Sequence, residues 1–105
     1  MTILLEVRRA AAMRLLYLPH AVAQMARPDR MISPSEVRKV IESGVVVEDY
    51  PDDRRGHSCL LLGRGSEGRS IHVVCAPQEG YLAVITAYLP SPDEWNEDFT
   101  VRRKP

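Results

Sequence analysis

A chain of 105 residues, 45% hydrophobic and 27% charged, has the composition of one globular domain with a modest core. Its formal net charge of zero argues against strong non-specific binding to nucleic acid. The sequence holds no apolar run long enough to cross a bilayer and no typical signal-peptide pattern. We therefore expect a cytoplasmic protein with residues 1–105 in a single domain.

Arginine accounts for 12 of the 14 basic residues. An arginine side chain binds phosphate or carboxylate in bidentate fashion better than lysine does. This bias has two explanations that the sequence leaves open, an anionic ligand or the general composition of the host's proteins. Cys59 and Cys75 lack the spacing of a zinc or redox motif, so we interpret them as buried reduced thiols and expect neither a metal nor a cofactor.

The N-terminal segment fits two patterns. Residues 3–11 have the apolar spacing of an amphipathic helix, whereas residues 13–18 fit a short strand that Pro19 ends. Met13 could also be the natural start of the protein. In that case residues 1–13 are a dispensable extension.

Two helices are predicted next. The first runs from His20 to Ala26 and is interrupted by Pro28 and Asp29. The second is opened by Ser33, with a proline at the first helical position and a glutamate three residues after the cap, which is the pattern of a capping box. It presents a buried stripe of Val37, Val40 and Ile41 and ends at Gly44.

Four strands follow in a meander. Val45–Tyr50 is the first, and Ser58–Gly63, with three consecutive leucines, is a strand buried on both faces. The stretch from Gly68 to Tyr88 predicts a hairpin around a Pro77–Gly80 turn. The predicted fold is α+β, with two N-terminal helices packed on a four- to five-stranded antiparallel sheet.

The hairpin carries the polar residues that suggest chemistry. Alternation along its strands places His72 on the same face as Thr86 and Tyr88. In the register that we predict, His72 lies directly opposite Thr86, and Tyr88 lies diagonal to it. An imidazole, a hydroxyl and a phenol would then share one face of the sheet.

Several ordered blocks between about residue 17 and residue 104 together resemble the DUF4258 family, a small bacterial family known only as a domain of unknown function. The resemblance implies a fold of the RelE/ParE toxin type. Where the family has an arginine before a methionine, this chain has Gln24. The blocks are His20-Ala, Met25, Arg30-Met-Ile-Ser, Glu42-Ser-Gly, Val47-Glu-Asp-Tyr-Pro, Ser58-Cys-Leu-Leu-Leu-Gly, Gly68-Arg-Ser-Ile-His-Val-Val, Ile85-Thr-Ala-Tyr, Asp93-Glu-Trp and the terminal Arg102-Arg.

The resemblance implies a toxin of a bacterial toxin-antitoxin system, acting as a ribonuclease on messenger RNA. It also implies a cognate antitoxin of the zinc-finger or helix-turn-helix type as partner. RNA is the other candidate ligand, and neither a membrane nor DNA is expected to bind the isolated chain. The alternative is a non-catalytic protein-interaction domain with the same fold.

Cleavage of RNA without a metal needs a base for the 2′-hydroxyl, an acid for the leaving oxygen and cations at the phosphate. We predict His20 and His72 as acid and base, Tyr88 as a phosphate-positioning group or slow acid, and Thr86 as the residue that orients His72. Arg30 and Arg69 are predicted to bind the phosphate. The structural alternatives are that His20 caps its helix and that His72 is a hydrogen-bonded core histidine.

Overall fold

The computed structural model describes residues 2–104. Within that part of the chain, three α-helices and five strands form an α+β fold. This confirms the predicted fold class, but the prediction of two helices was one too few. The elements are α1 (Ile3–Met13), β1 (Leu15–Tyr17), α2 (Pro19–Met25), α3 (Pro34–Ser43), β2 (Val45–Tyr50), β3 (Ser58–Arg64), β4 (Ser70–Gln78) and β5 (Tyr81–Tyr88), with a 3-10 turn at Ser66–Gly68.

The sheet is mixed, with the strand order β1-β5-β4-β3-β2. β1 runs parallel to β5 from Leu15 opposite Leu82 to Tyr17 opposite Val84, and the other neighbours are antiparallel. The prediction of a purely antiparallel sheet was therefore wrong. β1 is three residues long and pairs with the last strand of the chain, so its direction depends on a long-range contact that local residue patterns do not encode.

Helix α1 begins after Thr2, whose side chain accepts a hydrogen bond from the backbone N–H of Leu5 over 3.3 Å. Its inner face buries Val7, Ala10 and Ala11 in the main core. Arg8 donates to the carbonyl oxygens of Ile41 and Gly44, each over 3.0 Å, and so binds the end of α3. Of the predicted extension 1–13, residue 1 lies outside the described residues.

The capping box of α3 is confirmed. Ser33 Oγ accepts from the backbone N–H of Glu36 over 3.2 Å, and Glu36 Oε1 accepts from the backbone N–H of Ser33 over 3.0 Å. The predicted stripe of Val37, Val40 and Ile41 is buried against the sheet. Two backbone N–H groups that have no partner within the helix are thereby hydrogen-bonded, which fixes where α3 begins.

The helices cover one face of the sheet, and the C-terminal segment 90–104 covers part of the other. Leu61 belongs to the core under the helices. Leu60, its neighbour in β3, points to the opposite face and is also fully buried, which confirms that β3 is buried on both faces. Trp95, which is 2% exposed, lies over this second face.

The hairpin of β4 and β5 turns through Glu79 and Gly80, with Gly80 at φ +86°. Pro77 lies inside β4 because the pairing with β3 ends at Cys75, so no neighbouring carbonyl there requires the missing N–H. Cys59 and Cys75 lie opposite each other as free, fully buried thiols, as interpreted from the sequence. Within residues 2–104, no helix has the length and apolarity needed to span a membrane.

Candidate functional site

The shared face of the hairpin is confirmed, but the predicted register is wrong. His72 lies opposite Tyr88, and Thr86 lies opposite Val74. The hairpin loop has two residues, and β5 contains one extra residue at Ile85, where the register shifts. Each of these features shifts the pairing by one position. His72 therefore contacts the Tyr88 phenol, and the residue opposite Thr86 is Val74, two positions along β4.

His72 is fully buried between two aromatic rings. Its ring centre lies 4.5 Å from that of Trp95 and 5.3 Å from that of Tyr88, both edge-on. Nε2 lies 2.9 Å from the carbonyl oxygen of Phe99, which can only accept, so Nε2 carries the hydrogen. Burial lowers the pKa of His72, although the Phe99 carbonyl opposes this shift, so the ring is neutral near pH 7.

The neutral form of His72 determines how Tyr88 is bonded. With the hydrogen on Nε2, Nδ1 is an acceptor, and the Tyr88 hydroxyl 3.2 Å away donates to it. Burial raises the pKa of Tyr88, so the phenol keeps its hydrogen. His72 therefore positions Tyr88 and has no surface of its own for a ligand.

Tyr88 lines an open groove of about 370 Å³ between α2, the end of β5 and the C-terminal segment. His20 is exposed in the first turn of α2, immediately after the proline at its first position. Arg30 lies in the turn after α2, where its Nη1 donates to Gln24 Oε1 over 2.9 Å. The residues that line this groove are His20, Gln24, Arg30, Thr86, Tyr88, Leu89, Glu94, Trp95 and Arg102.

Four of the six predicted site residues thus meet in one groove, namely His20, Arg30, Thr86 and Tyr88. His72 lies beneath it. His72 therefore fits the alternative interpretation from the sequence, that of a hydrogen-bonded histidine in the core. His20 makes no side-chain cap at α2 in the structure, so helix capping does not account for it.

Arg69 is not among the groove residues. Its guanidinium donates to both carboxylate oxygens of Glu36, over 3.1 and 3.0 Å, and to the carbonyl oxygens of Arg30 and Met31, over 2.5 and 3.3 Å. Burial tends to raise the pKa of Glu36, but the backbone N–H groups of Ser33 and Ser66 and the Arg69 guanidinium outweigh it and lower that pKa to about 2. Arg69 therefore serves the fold, because its donors are committed to this buried carboxylate and to the turn that carries Arg30.

Sequence reasoning missed a second cation at the groove. Arg102 Nε and Nη2 donate to the two oxygens of Glu48, over 2.8 and 3.1 Å. Its Cζ lies 4.6 Å from the centre of the Trp95 ring. The Tyr50 hydroxyl donates to the same carboxylate. Hydrogen bonding from Arg102 lowers the pKa of Glu48 despite partial burial.

Glu48 and Arg102 are 54 positions apart, and no local pattern connects them. The only sequence signal was that both lie in blocks that carry the family resemblance. Glu94 also lines the groove and brings a carboxylate to it. Among residues 2–104, no group of three or more metal-ligating side chains is gathered in one place.

Comparison with protein families gives one match. The model described as "Domain of unknown function (DUF4258)" matches residues 17–89, which include His20, His72 and Tyr88 and end before Trp95 and Arg102. No curated protein and no solved structure matches the chain. Because the matched segment spans more than half of the sequence, the chain belongs to the DUF4258 family.

Proposed function

We propose that this protein is the toxin of a bacterial toxin-antitoxin system, with a RelE-like fold, and that it cleaves single-stranded RNA without a metal. The observation that carries the proposal is the convergence of His20, Arg30 and Tyr88 on one open groove. They come from a helix start, a turn and a strand end, so only the fold brings them together. An imidazole, a guanidinium and a phenol are the groups that such a reaction needs.

In the proposed reaction the 2′-oxygen of the RNA attacks the adjacent phosphorus, and the bond from phosphorus to the 5′-oxygen breaks. His20 takes the proton of the 2′-hydroxyl. Arg30 retains free N–H groups beyond its bond to Gln24 and holds the phosphate oxygens. The products are a 2′,3′-cyclic phosphate and a free 5′-hydroxyl.

Tyr88 supplies the proton for the departing 5′-oxygen. Its hydroxyl is protonated because burial raises its pKa, and an alkoxide is a stronger base than a phenolate, so the transfer is favourable. Before this step His72 Nδ1 accepts the single phenol hydrogen and holds the ring in place. The O–H then turns from Nδ1 to the 5′-oxygen as the bond to phosphorus breaks. Thr86 lines the same groove and can hydrogen-bond a phosphate oxygen or the sugar. Solvent then removes the extra proton from His20 and returns one to Tyr88.

The second candidate is a non-catalytic protein-interaction domain. Glu94 favours it, because a carboxylate in the groove opposes the binding of phosphate. Arg102 adds no net charge there, since Glu48 neutralises it. On either proposal an antitoxin of the zinc-finger or helix-turn-helix type is the expected protein partner.

His20→Ala tests the nuclease proposal, with His57→Ala as the matched control. His57 is partly exposed, its Nε2 lies 2.5 Å from Asp49 Oδ1, and it does not line the groove. The native chain and the control should arrest growth when expressed and should release fragments ending in a 2′,3′-cyclic phosphate from RNA. The His20 variant should fold and lose cleavage at least about a hundredfold. Equal cleavage by both variants would remove His20 from the reaction, and arrest without cleavage would favour the interaction domain.

A further inference from the structure

The Arg102 guanidinium is held rigidly at one end of the groove. Its Cζ lies over the Trp95 ring, 4.6 Å from the ring centre, and Trp95 is itself only 2% exposed. Glu48 occupies the edge formed by Nε and Nη2. Even so, 58% of the Arg102 side chain is exposed. Trp95 and Glu48 therefore cover only part of the guanidinium, and Arg102 lines the groove with the rest of its side chain exposed.

These contacts decide which kind of ligand the guanidinium suits. Glu48 occupies the Nε and Nη2 edge, which leaves a phosphate only the edge formed by Nη1 and Nη2, and the phosphate would meet the negative charge of that carboxylate. An open guanidinium face, in contrast, stacks well on a flat aromatic ring and needs no free N–H group. Arginine planes are used in this way to hold unpaired nucleobases.

We propose that Trp95, Arg102 and Glu48 form a stacking subsite that holds one base of a single-stranded RNA on the open face of the guanidinium. The inference rests on the proposed function, since the phosphate next to that base would lie at Arg30 and His20. The residues that would touch the RNA all line the same groove, namely His20, Arg30, Thr86, Tyr88 and Arg102. Trp95 and Glu48 fix the plane of Arg102 and act as positioning residues.

The test compares two tetranucleotides with identical 2′-O-methyl backbones, one with bases and one abasic. Neither can be cleaved through a 2′-hydroxyl, so the native protein can be used. Binding is followed by anisotropy of a labelled oligonucleotide and by the emission of Trp95, the only tryptophan of the chain. We expect the native chain to bind the base-containing strand about 5- to 100-fold more tightly than the abasic one.

Arg102→Lys keeps the charge but removes the flat guanidinium. It should lose most of the preference for bases while its affinity for the abasic strand changes by less than about threefold. Arg103→Lys, the same substitution one residue later, should keep the preference. Glu48→Gln is a second variant in case Arg102→Lys does not fold. It frees the guanidinium edge, so affinity for the abasic strand should rise and the preference for bases should fall.

Equal binding of the two strands by the native chain would overturn the subsite. If His20-dependent cleavage of RNA persists in that case, the proposed nuclease function stands and only the stacking fails. A preference for bases without any cleavage supports the subsite and contradicts the nuclease. Failure to bind either strand, together with no cleavage of RNA, overturns both.

Discussion

His72 Nε2 donates to the carbonyl oxygen of Phe99 over 2.9 Å, joining strand β4 to a turn 27 positions later in the chain. Phe99 has a φ of +61°, in the left-handed region that residues other than glycine rarely adopt. The buried imidazole therefore holds a turn that the local sequence does not favour. That turn belongs to the segment that places Trp95 and Arg102 at the groove.

Protonation of His72 should weaken the fold. Its pKa is lowered from the ordinary value of 6.5 by burial, so the unfolded chain binds a proton at a pH where the folded chain does not. The contribution of His72 is fully present above pH 6.5 and is lost as the pH falls below it. Urea unfolding between pH 7.5 and 5.0 should show a slope of up to about 1.4 kcal/mol per pH unit from this one group.

His72→Gln keeps a donor and an acceptor but cannot titrate, so this slope should disappear between pH 6.5 and 5.0. The same substitution at His57, which is partly exposed, should retain it. A slope that survives in the His72 variant would show that another group titrates in this range.

Glu36→Gln should lower the free energy of unfolding by about 2–3 kcal/mol at pH 7. Glu36 is 6% exposed, and its pKa is about 2 in the folded protein against an ordinary 4.5. Its ionised form stabilises the fold fully above pH 4.5, and this contribution is lost as the pH falls towards 2. Denaturation curves of the native chain and the variant should therefore converge over that range. A constant difference down to pH 2 would contradict the assignment.

Arg30→Ala should affect mainly RNA binding, whereas Arg69→Ala should affect mainly the stability of the fold. Arg30 contributes its guanidinium to the groove, so its loss should weaken RNA binding about tenfold with little change in the unfolding midpoint. Arg69 pairs with a buried carboxylate, so its loss should destabilise the protein by about 2–3 kcal/mol. RNA binding and urea unfolding, measured on both variants, check the two assignments. Equal loss of binding at unchanged stability would return Arg69 to the phosphate site.

Helix α1 should contribute to stability. Val7 is fully buried in the main core, so Val7→Ala should cost about 1.5–3 kcal/mol. Leu5 lies on the same helix but is 57% exposed, and Leu5→Ala should change stability by less than about 0.5 kcal/mol. Urea unfolding of both variants measures the difference. If both substitutions are neutral, residues 1–13 are the dispensable extension that the sequence allowed.

The features that could be predicted from the sequence are those that neighbouring residues encode. The capping box of Ser33 and Glu36 involves residues three apart, and the alternation that places His72, Thr86 and Tyr88 on one face involves single strands and a short turn. Their exact pairing was not predictable, because the extra residue at Ile85 leaves no clear mark in a run of β-branched and small residues. Family resemblance drew attention to His20 and Arg30, and the fold brought both to the groove.

By itself the sequence determined the fold class, the start of α3, the bounds of β2 and the polar face of the hairpin, since each depends on contacts within a few residues. Only the tertiary structure decided that β1 runs parallel to β5, that His72 is buried and that Arg69 binds Glu36. It alone joined Glu48 to Arg102 across 54 positions. These outcomes depend on how distant segments pack and exclude water, and that packing sets which charges are paired and which side chains a ligand can reach.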